Sequence, residues 1–171
     1  LLLSTSGTTE SPKFVRLSKK NIEDNTAKII RYLKIKNSNC TITTMPAGYS
    51  YGLSIINSYL KTKAKIILNN RSVIEKDFWN KIQKFKASSF GGVPELFEFL
   101  KKIDFEKYVS KELKLLTQAG GKLDENTLRY FGKICKVKRI KFYVMYGQTE
   151  ASPRISYLDW KFFFSKINSI G

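Results

Sequence analysis

The chain has 171 residues, 42% of them hydrophobic and 13% aromatic, enough to bury one sizeable core in a single domain and with no apolar run near the roughly 18 residues of a membrane-spanning helix. Basic residues outnumber acidic ones by 31 to 14, a formal charge of +17. The excess is mostly lysine scattered along the chain, as at Lys34, Lys61, Lys84 and Lys101, so it reads as solvated surface rather than a nucleic-acid or anionic-membrane site. Histidine is absent, which excludes Ser-His-Asp, Cys-His and His-metal chemistry for this stretch of chain.

The opening Leu1-Leu2-Leu3-Ser4-Thr5 lacks the basic start and apolar centre of a secretory signal, and it reads as a strand met in mid-chain. Further short apolar runs at 14–17, 41–45, 65–68, 87–90, 115–118 and 142–146 read as strands. Helical spacing separates them. Ile22, Thr26, Ile29, Ile30 and Leu33 recur at that spacing, as do Leu53, Ile56 and Leu60. Phe78, Trp79, Ile82 and Phe85 do the same after a capping-box pair, Ser72 with Glu75. Pro94 suits a first helical turn that turns Leu96, Phe97 and Leu100 inward, and Asp124 is placed to cap another helix that buries Leu128, Phe131 and Cys135. Cys40 and Cys135 have no metal-ligating neighbours, and buried free thiols in a reducing, cytoplasmic compartment are favoured over a disulfide. The recurring strand–helix order predicts an α/β fold, a mainly parallel sheet covered by helices, with ligands outside the carboxyl ends of the strands. The close on Ser169-Ile170-Gly171 makes the whole look like a single partial domain, 1–171, cut at both ends.

Chemistry is expected in the loops that follow strands. Residues 4–13, Ser-Thr-Ser-Gly-Thr-Thr-Glu-Ser-Pro-Lys, crowd hydroxyls and backbone N–H groups around a glycine and end on a cation, which suits an anion. The plain alternative is a polar turn between two strands of a hairpin. It is not a Walker loop, because Pro12 precedes the lysine and Phe14 follows it. Residues 146–150, Tyr-Gly-Gln-Thr-Glu, put a ring, a flexible backbone, a hydroxyl and a carboxylate side by side, a set able to stack a base, donate to a phosphate and hold magnesium. Ala119-Gly120-Gly121-Lys122-Leu123 and Phe90-Gly91-Gly92-Val93-Pro94 offer glycines that let a flat ligand approach the backbone, or that simply make turns.

Taken in this order, the loops resemble the adenylate-forming superfamily, which includes acyl-CoA synthetases, aryl-CoA ligases, luciferases and the adenylation domains of peptide synthetases. Its phosphate loop, Thr-Ser-Gly-Thr-Thr-Gly-x-Pro-Lys-Gly, is matched closely from Thr5 to Lys13, and its Tyr-Gly-x-Thr-Glu signature is met in full at Tyr146, Gly147, Thr149 and Glu150. Tyr49-Ser50-Tyr51-Gly52-Leu53 resembles the helix start between them. The resemblance implies part of a large N-terminal domain that joins a carboxylate to ATP with Mg²⁺, releases pyrophosphate, and passes the acyl group to CoA or a carrier-protein thiol. It implies that Thr5, Ser6, Gly7, Thr8, Thr9 and Lys13 hold the phosphates, that Tyr146 and Gly147 lie against adenine beside Gly120 and Gly121, and that Thr149 bonds the α-phosphate. It makes Glu150 the metal ligand, makes Lys13, Thr149 and Glu150 catalytic, and borders the acyl pocket with Phe90, Gly91, Val93 and Ala119.

Two departures temper this. Glu10 and Phe14 stand where the family has glycine, and the ribose-binding aspartate, hinge and lysine-bearing C-terminal domain are expected in a missing remainder of the chain, without which this piece should not turn over. The competing readings are an inactive homologue and a basic α/β binding module. A carboxylate about 4 Å from a phosphate costs roughly 4 kcal/mol at an effective dielectric near 20. In the full-length protein, Glu10→Gly should therefore tighten MgATP binding, by up to about a hundredfold; calorimetry finding equal or weaker affinity would show that the loop tolerates the carboxylate.

Overall fold

The structure, a computed structural model, describes residues 1–5 and 13–171. A hairpin of β1 (Leu2–Ser4) and β2 (Phe14–Arg16) opens the chain, followed by α1 (Lys19–Leu33), β3 (Cys40–Ile42), α2 (Ser50–Lys61), β4 (Lys65–Ile67), α3 (Lys76–Lys84) and β5 (Ser89–Gly92). Then come α4 (Pro94–Lys102), β6 (Leu115–Gln118), α5 (Glu125–Lys138), β7 (Lys141–Gly147) and β8 (Arg154–Leu158).

Six strands form one sheet in the order β4-β3-β5-β6-β7-β8. Its pairs are parallel except β7 with β8, which run antiparallel. The expected α/β fold with a mainly parallel sheet is therefore the fold observed. The first two strands differ from expectation: β1 and β2 make a separate antiparallel pair, Leu2 opposite Arg16. The connection between them is shorter than the dozen or so residues that a parallel crossover needs, so an antiparallel pairing suits the two strands; the anion-binding reading of the segment between them falls largely on residues 6–12, outside the described residues. β8 was not foreseen; it follows Pro153, and its Ile155 is exposed while Leu158 is buried.

Local signals account for most boundaries. The Ser18 hydroxyl accepts the Asn21 N–H at 3.0 Å and the Asn21 side chain accepts the Ser18 N–H at 3.1 Å, a reciprocal cap for α1. Pro94 occupies the first turn of α4, and the Asp124 carboxylate accepts the Thr127 N–H at 2.9 Å to start α5. The Ser72–Glu75 pair acts one turn early: the Glu75 carboxylate accepts the Ser72 N–H at 2.7 Å, and Glu75 is itself the residue before α3. Ala87, expected in a strand, instead closes α3 by donating to the Ile82 carbonyl at 2.9 Å, and β5 begins only at Ser89.

Each strand sends alternate residues to opposite faces. Phe90, Leu116, Phe142 and Val144 enter one core with Phe78 and Ile82 of α3, Phe97 and Leu100 of α4, and Leu128, Phe131 and Cys135 of α5. Tyr143, Met145 and Ala119 face the other way, toward Tyr32 of α1 and Tyr51 and Ile55 of α2. Both cysteines are free and buried, and burial pushes the Cys135 thiol up to about 12. Among the described residues no helix is long and apolar enough to cross a membrane.

Phe131 is fully buried, with ring centroids 5.0 Å from Phe97, 5.2 Å from Phe105 and 6.0 Å from Phe142. Phe131→Ala should cost about 3–5 kcal/mol, read as a lowered urea midpoint; a loss under about 1 kcal/mol would mean that the ring cluster is not the keystone of this core.

Candidate active site

A cleft of about 850 Å³ opens beyond the carboxyl ends of β3, β6 and β7, within the range of small-molecule sites. Its floor is the turn after β6. Gly120 has φ +90°, and a Cβ there would come within 2.8 Å of the Tyr49 hydroxyl and 2.9 Å of Val93 Cγ1. A Cβ on Gly121 would meet Pro94 at 2.9 Å. The bare backbone therefore lies directly on the start of α4 and on Tyr49. Gln118, wholly buried at the end of β6, donates to the Gly121 carbonyl at 2.8 Å, while its side-chain oxygen has no partner among the described residues.

The wall is the reversal between β7 and β8. A Cβ on Gly147 would run into the Pro153 carbonyl, so only glycine lets the two strands close up there. Thr149, Glu150 and Ala151 form a short 3-10 turn. From α1, Asn25 holds this turn by donating to the Ala151 carbonyl at 3.2 Å and the Arg154 carbonyl at 3.0 Å. The Thr149 hydroxyl donates to the Ser50 hydroxyl at 3.2 Å, at the start of α2. The Tyr146 ring is 37% exposed, enough for a flat ligand to lie on it, and its hydroxyl accepts from Gln148 at 2.7 Å. β2 packs against the 3-10 turn, and Thr5 N–H donates to the Lys13 carbonyl at 3.0 Å. Those contacts bring Thr5 to the same cleft.

The structure thus gathers Thr5, Ala119, Gly120, Gly121, Tyr146, Gly147, Thr149 and Glu150 along one lining. Lys13 is exposed but does not line the cleft, and Val93 supports Gly120 from behind. Ser6, Gly7, Thr8, Thr9 and Glu10 lie outside the described residues. Phe90 and Gly91 do not line the main cleft; they border a small cavity of about 20 Å³ behind Tyr51. As neighbours in a strand they point to opposite faces, and Phe90 is buried among Phe78 and Phe105 in the core under α3. Gly91 faces α2, where a Cβ would fall 2.6 Å from both the Tyr51 hydroxyl and Thr117 Oγ1. Tyr51 fills the space that Gly91 leaves. Its hydroxyl lies 3.0 Å from the Thr117 carbonyl and 2.7 Å from Thr117 Oγ1, and burial raises its pKa. Among the lining residues that the sequence does not single out are Gln118 and Arg154. Gln118 had a signal, a long polar side chain ending an apolar strand.

Among the described residues, three charged side chains line the cleft: Lys122, Glu150 and Arg154. Among the described residues no cluster of three His, Cys, Asp or Glu could cage a metal. A single carboxylate such as Glu150 still suits magnesium, which takes one or two protein carboxylates and completes its shell with water and phosphate. An adenine nucleotide fits the rest: a glycine floor that side chains would fill, an exposed ring and an unpaired buried acceptor.

A model of the AMP-binding enzymes matches residues 1–171. The chain belongs to the AMP-binding enzyme family. A 2-succinylbenzoate–CoA ligase from Bacillus cereus is 27% identical over 99% of this chain and 34% of its own length. The o-succinylbenzoate coenzyme A synthetase of Bacillus subtilis, solved in complex with ATP and magnesium, superposes with a TM-score of 0.83 at 21% identity, over 99% of this chain and 34% of that one. An inhibitor-bound N-terminal domain of FACL13 from Mycobacterium tuberculosis gives 0.86 at 18% identity, over 99% of this chain and 42% of that one. These structures share the fold of this AMP-binding domain. The chain spans about a third of the curated relatives' length, 34%.

Gly120→Ala should lower stability by about 1–3 kcal/mol, because a side chain at this positive φ is strained and must also displace Tyr49 or Val93. Gly48→Ala, with nothing within 4 Å of the added carbon, is the control and should change little. Equal urea midpoints for the two variants would remove the case for a tight floor.

Proposed function

We propose that the full-length protein activates a carboxylic acid with ATP, releasing pyrophosphate and forming an acyl adenylate, and then passes the acyl group to a thiol of CoA or of a carrier protein. The observation that carries this reading is the convergence of Thr5, Gly120, Gly121, Tyr146, Thr149 and Glu150, distant in sequence, on one cleft.

The roles follow from chemistry. A carboxylate oxygen attacking phosphorus must approach another anion, so fixed donors and cations have to neutralise the polyphosphate and hold the two partners in line. Thr5, with Ser6, Gly7, Thr8, Thr9 and Lys13, would take the phosphates that leave as pyrophosphate. Thr149 Oγ1 lies 3.2 Å from the Ser50 hydroxyl; to donate to the α-phosphate it would turn its single proton from Ser50 to the ligand and could accept from Ser50 instead. Glu150 would ligate magnesium, whose charge offsets that of the phosphates. Adenine would lie between the Tyr146 ring and the Gly120-Gly121 backbone, with its exocyclic amine suited to the unpartnered Gln118 oxygen. The acid would enter along Ala119 and Tyr51, with Tyr51 limiting the depth.

Glu10 favours a second reading, a homologue that holds nucleotide without turning it over. Both readings meet one assay, exchange of labelled pyrophosphate into ATP by the full-length protein, dependent on an added acid. With a cognate acid, exchange should appear, and Glu150→Gln or Thr149→Ala should cut it by roughly a hundredfold or more. Silence across a broad acid panel in the native protein and in Glu10→Gly alike would end the activation reading. Silence broken only by Glu10→Gly would establish the second.

A further inference from the structure

We propose that Arg154 receives a second negatively charged group on the acid, so that the substrates are diacids or acids carrying another anionic substituent. The proposal rests on the activation reading for the reacting end of the acid.

Arg154 lies where β8 begins, opposite Gly147. It lines both the main cleft and a small cavity of about 20 Å³ behind Tyr51. Its guanidinium sits 4.7 Å above the Tyr51 ring and donates to the Ser54 hydroxyl at 3.3 Å. Ser54 in turn gives its own proton to the Tyr51 carbonyl at 2.7 Å. Arg154 Nε is buried and has no partner among the described residues. The groups packed around the guanidinium are neutral: burial raises the pKa of both Tyr32 and Tyr51 against the pull of Arg154 itself. Among the described residues no carboxylate pairs with Arg154; the ion pairs present join exposed side chains elsewhere, such as Lys19 with Glu23 and Arg129 with Glu125.

A partly desolvated cation with donors to spare is costly unless an anion meets it. Arginine's planar fork suits a carboxylate, and here the fork is held by the Tyr51 face and its bond to Ser54, while Asn25 fixes the Arg154 backbone. Thr149 and Glu150, the groups assigned to the reacting end, sit on the turn just before it. A single acid lying over Ala119 and Tyr51 can therefore present one carboxylate to the nucleotide and a second group to Arg154. A monoacid would leave the guanidinium unpaired, which is the strongest form of discrimination a polar pocket can exert.

The test uses the full-length protein with acids matched in length: succinate with butyrate, glutarate with pentanoate, and phthalate with benzoate. Acid-dependent pyrophosphate exchange gives kcat and KM, and calorimetry reads acid binding without turnover. The native protein should prefer the diacid of a pair. Arg154→Gln should raise the diacid KM by roughly thirtyfold or more, while monoacid KM and MgATP affinity stay within about threefold. Arg154→Lys, keeping the charge without the fork, should recover part of the preference, which guards against a variant that merely folds poorly. Preference for the monoacid, an equal loss on both members of a pair, or a weakening confined to MgATP would overturn the proposal. If no acid drives exchange, the activation reading fails by itself. The calorimetric arm then still decides the anion site: diacid heat lost in Arg154→Gln upholds it, and unchanged heat or none in the native protein removes it.

Discussion

At β7 the chain has to satisfy two cores at once. Phe142 and Val144 enter the aromatic core under α3, α4 and α5, while Tyr143 and Met145 enter the one under α1 and α2. A register slip of one residue would exchange the two sets. The strand therefore has a single way to lie, and its carboxyl end, Tyr146 and Gly147, is delivered to a single place. The neighbouring strand β6 is bound by the same rule, with Leu116 on one face and Thr117 bonded to Tyr51 on the other. The cleft is thus positioned by the apolar packing of the strands whose ends line it.

That rule also explains what could and could not be read from the sequence. The parallel sheet, the caps at Pro94 and Asp124, and the buried thiols follow from local patterns, and they are present. The Tyr-Gly-x-Thr-Glu turn was legible because its residue types are unusual together. Phe90 and Gly91 do not reach the main cleft: Phe90 is buried in the aromatic core and Tyr51 covers Gly91, so the two border only the small cavity behind Tyr51. The pairing of β1 with β2 could have been drawn from the length of their connection. β8 and Arg154 were harder. An edge strand after a proline carries little pattern of its own, and the meaning of a lone arginine depends on Tyr51 and Ser54, about a hundred residues away in the chain.

The electrostatics divide in two. The large positive charge is an outer feature: the ion pairs found are exposed and worth little individually, and most lysines sit in water, where salt screens them. At the cleft Lys122 and Glu150 are exposed as well, and Arg154, half-buried against Tyr51, is the least screened of the three. Net charge is therefore a poor guide to this protein's chemistry. The local balance at Lys122, Glu150 and Arg154 is the informative quantity.

The Asn25 side chain spans sequence separations of 126 and 129 residues to reach the Ala151 and Arg154 carbonyls. Contacts of that range are late and slow to form, because the entropy of closing so long a loop is met before they return anything. The signature turn is thus braced by the first helix as well as by the pairing of β7 with β8 that flanks it. A transient opening of α1 would therefore loosen the turn without disturbing the aromatic core under α3, α4 and α5.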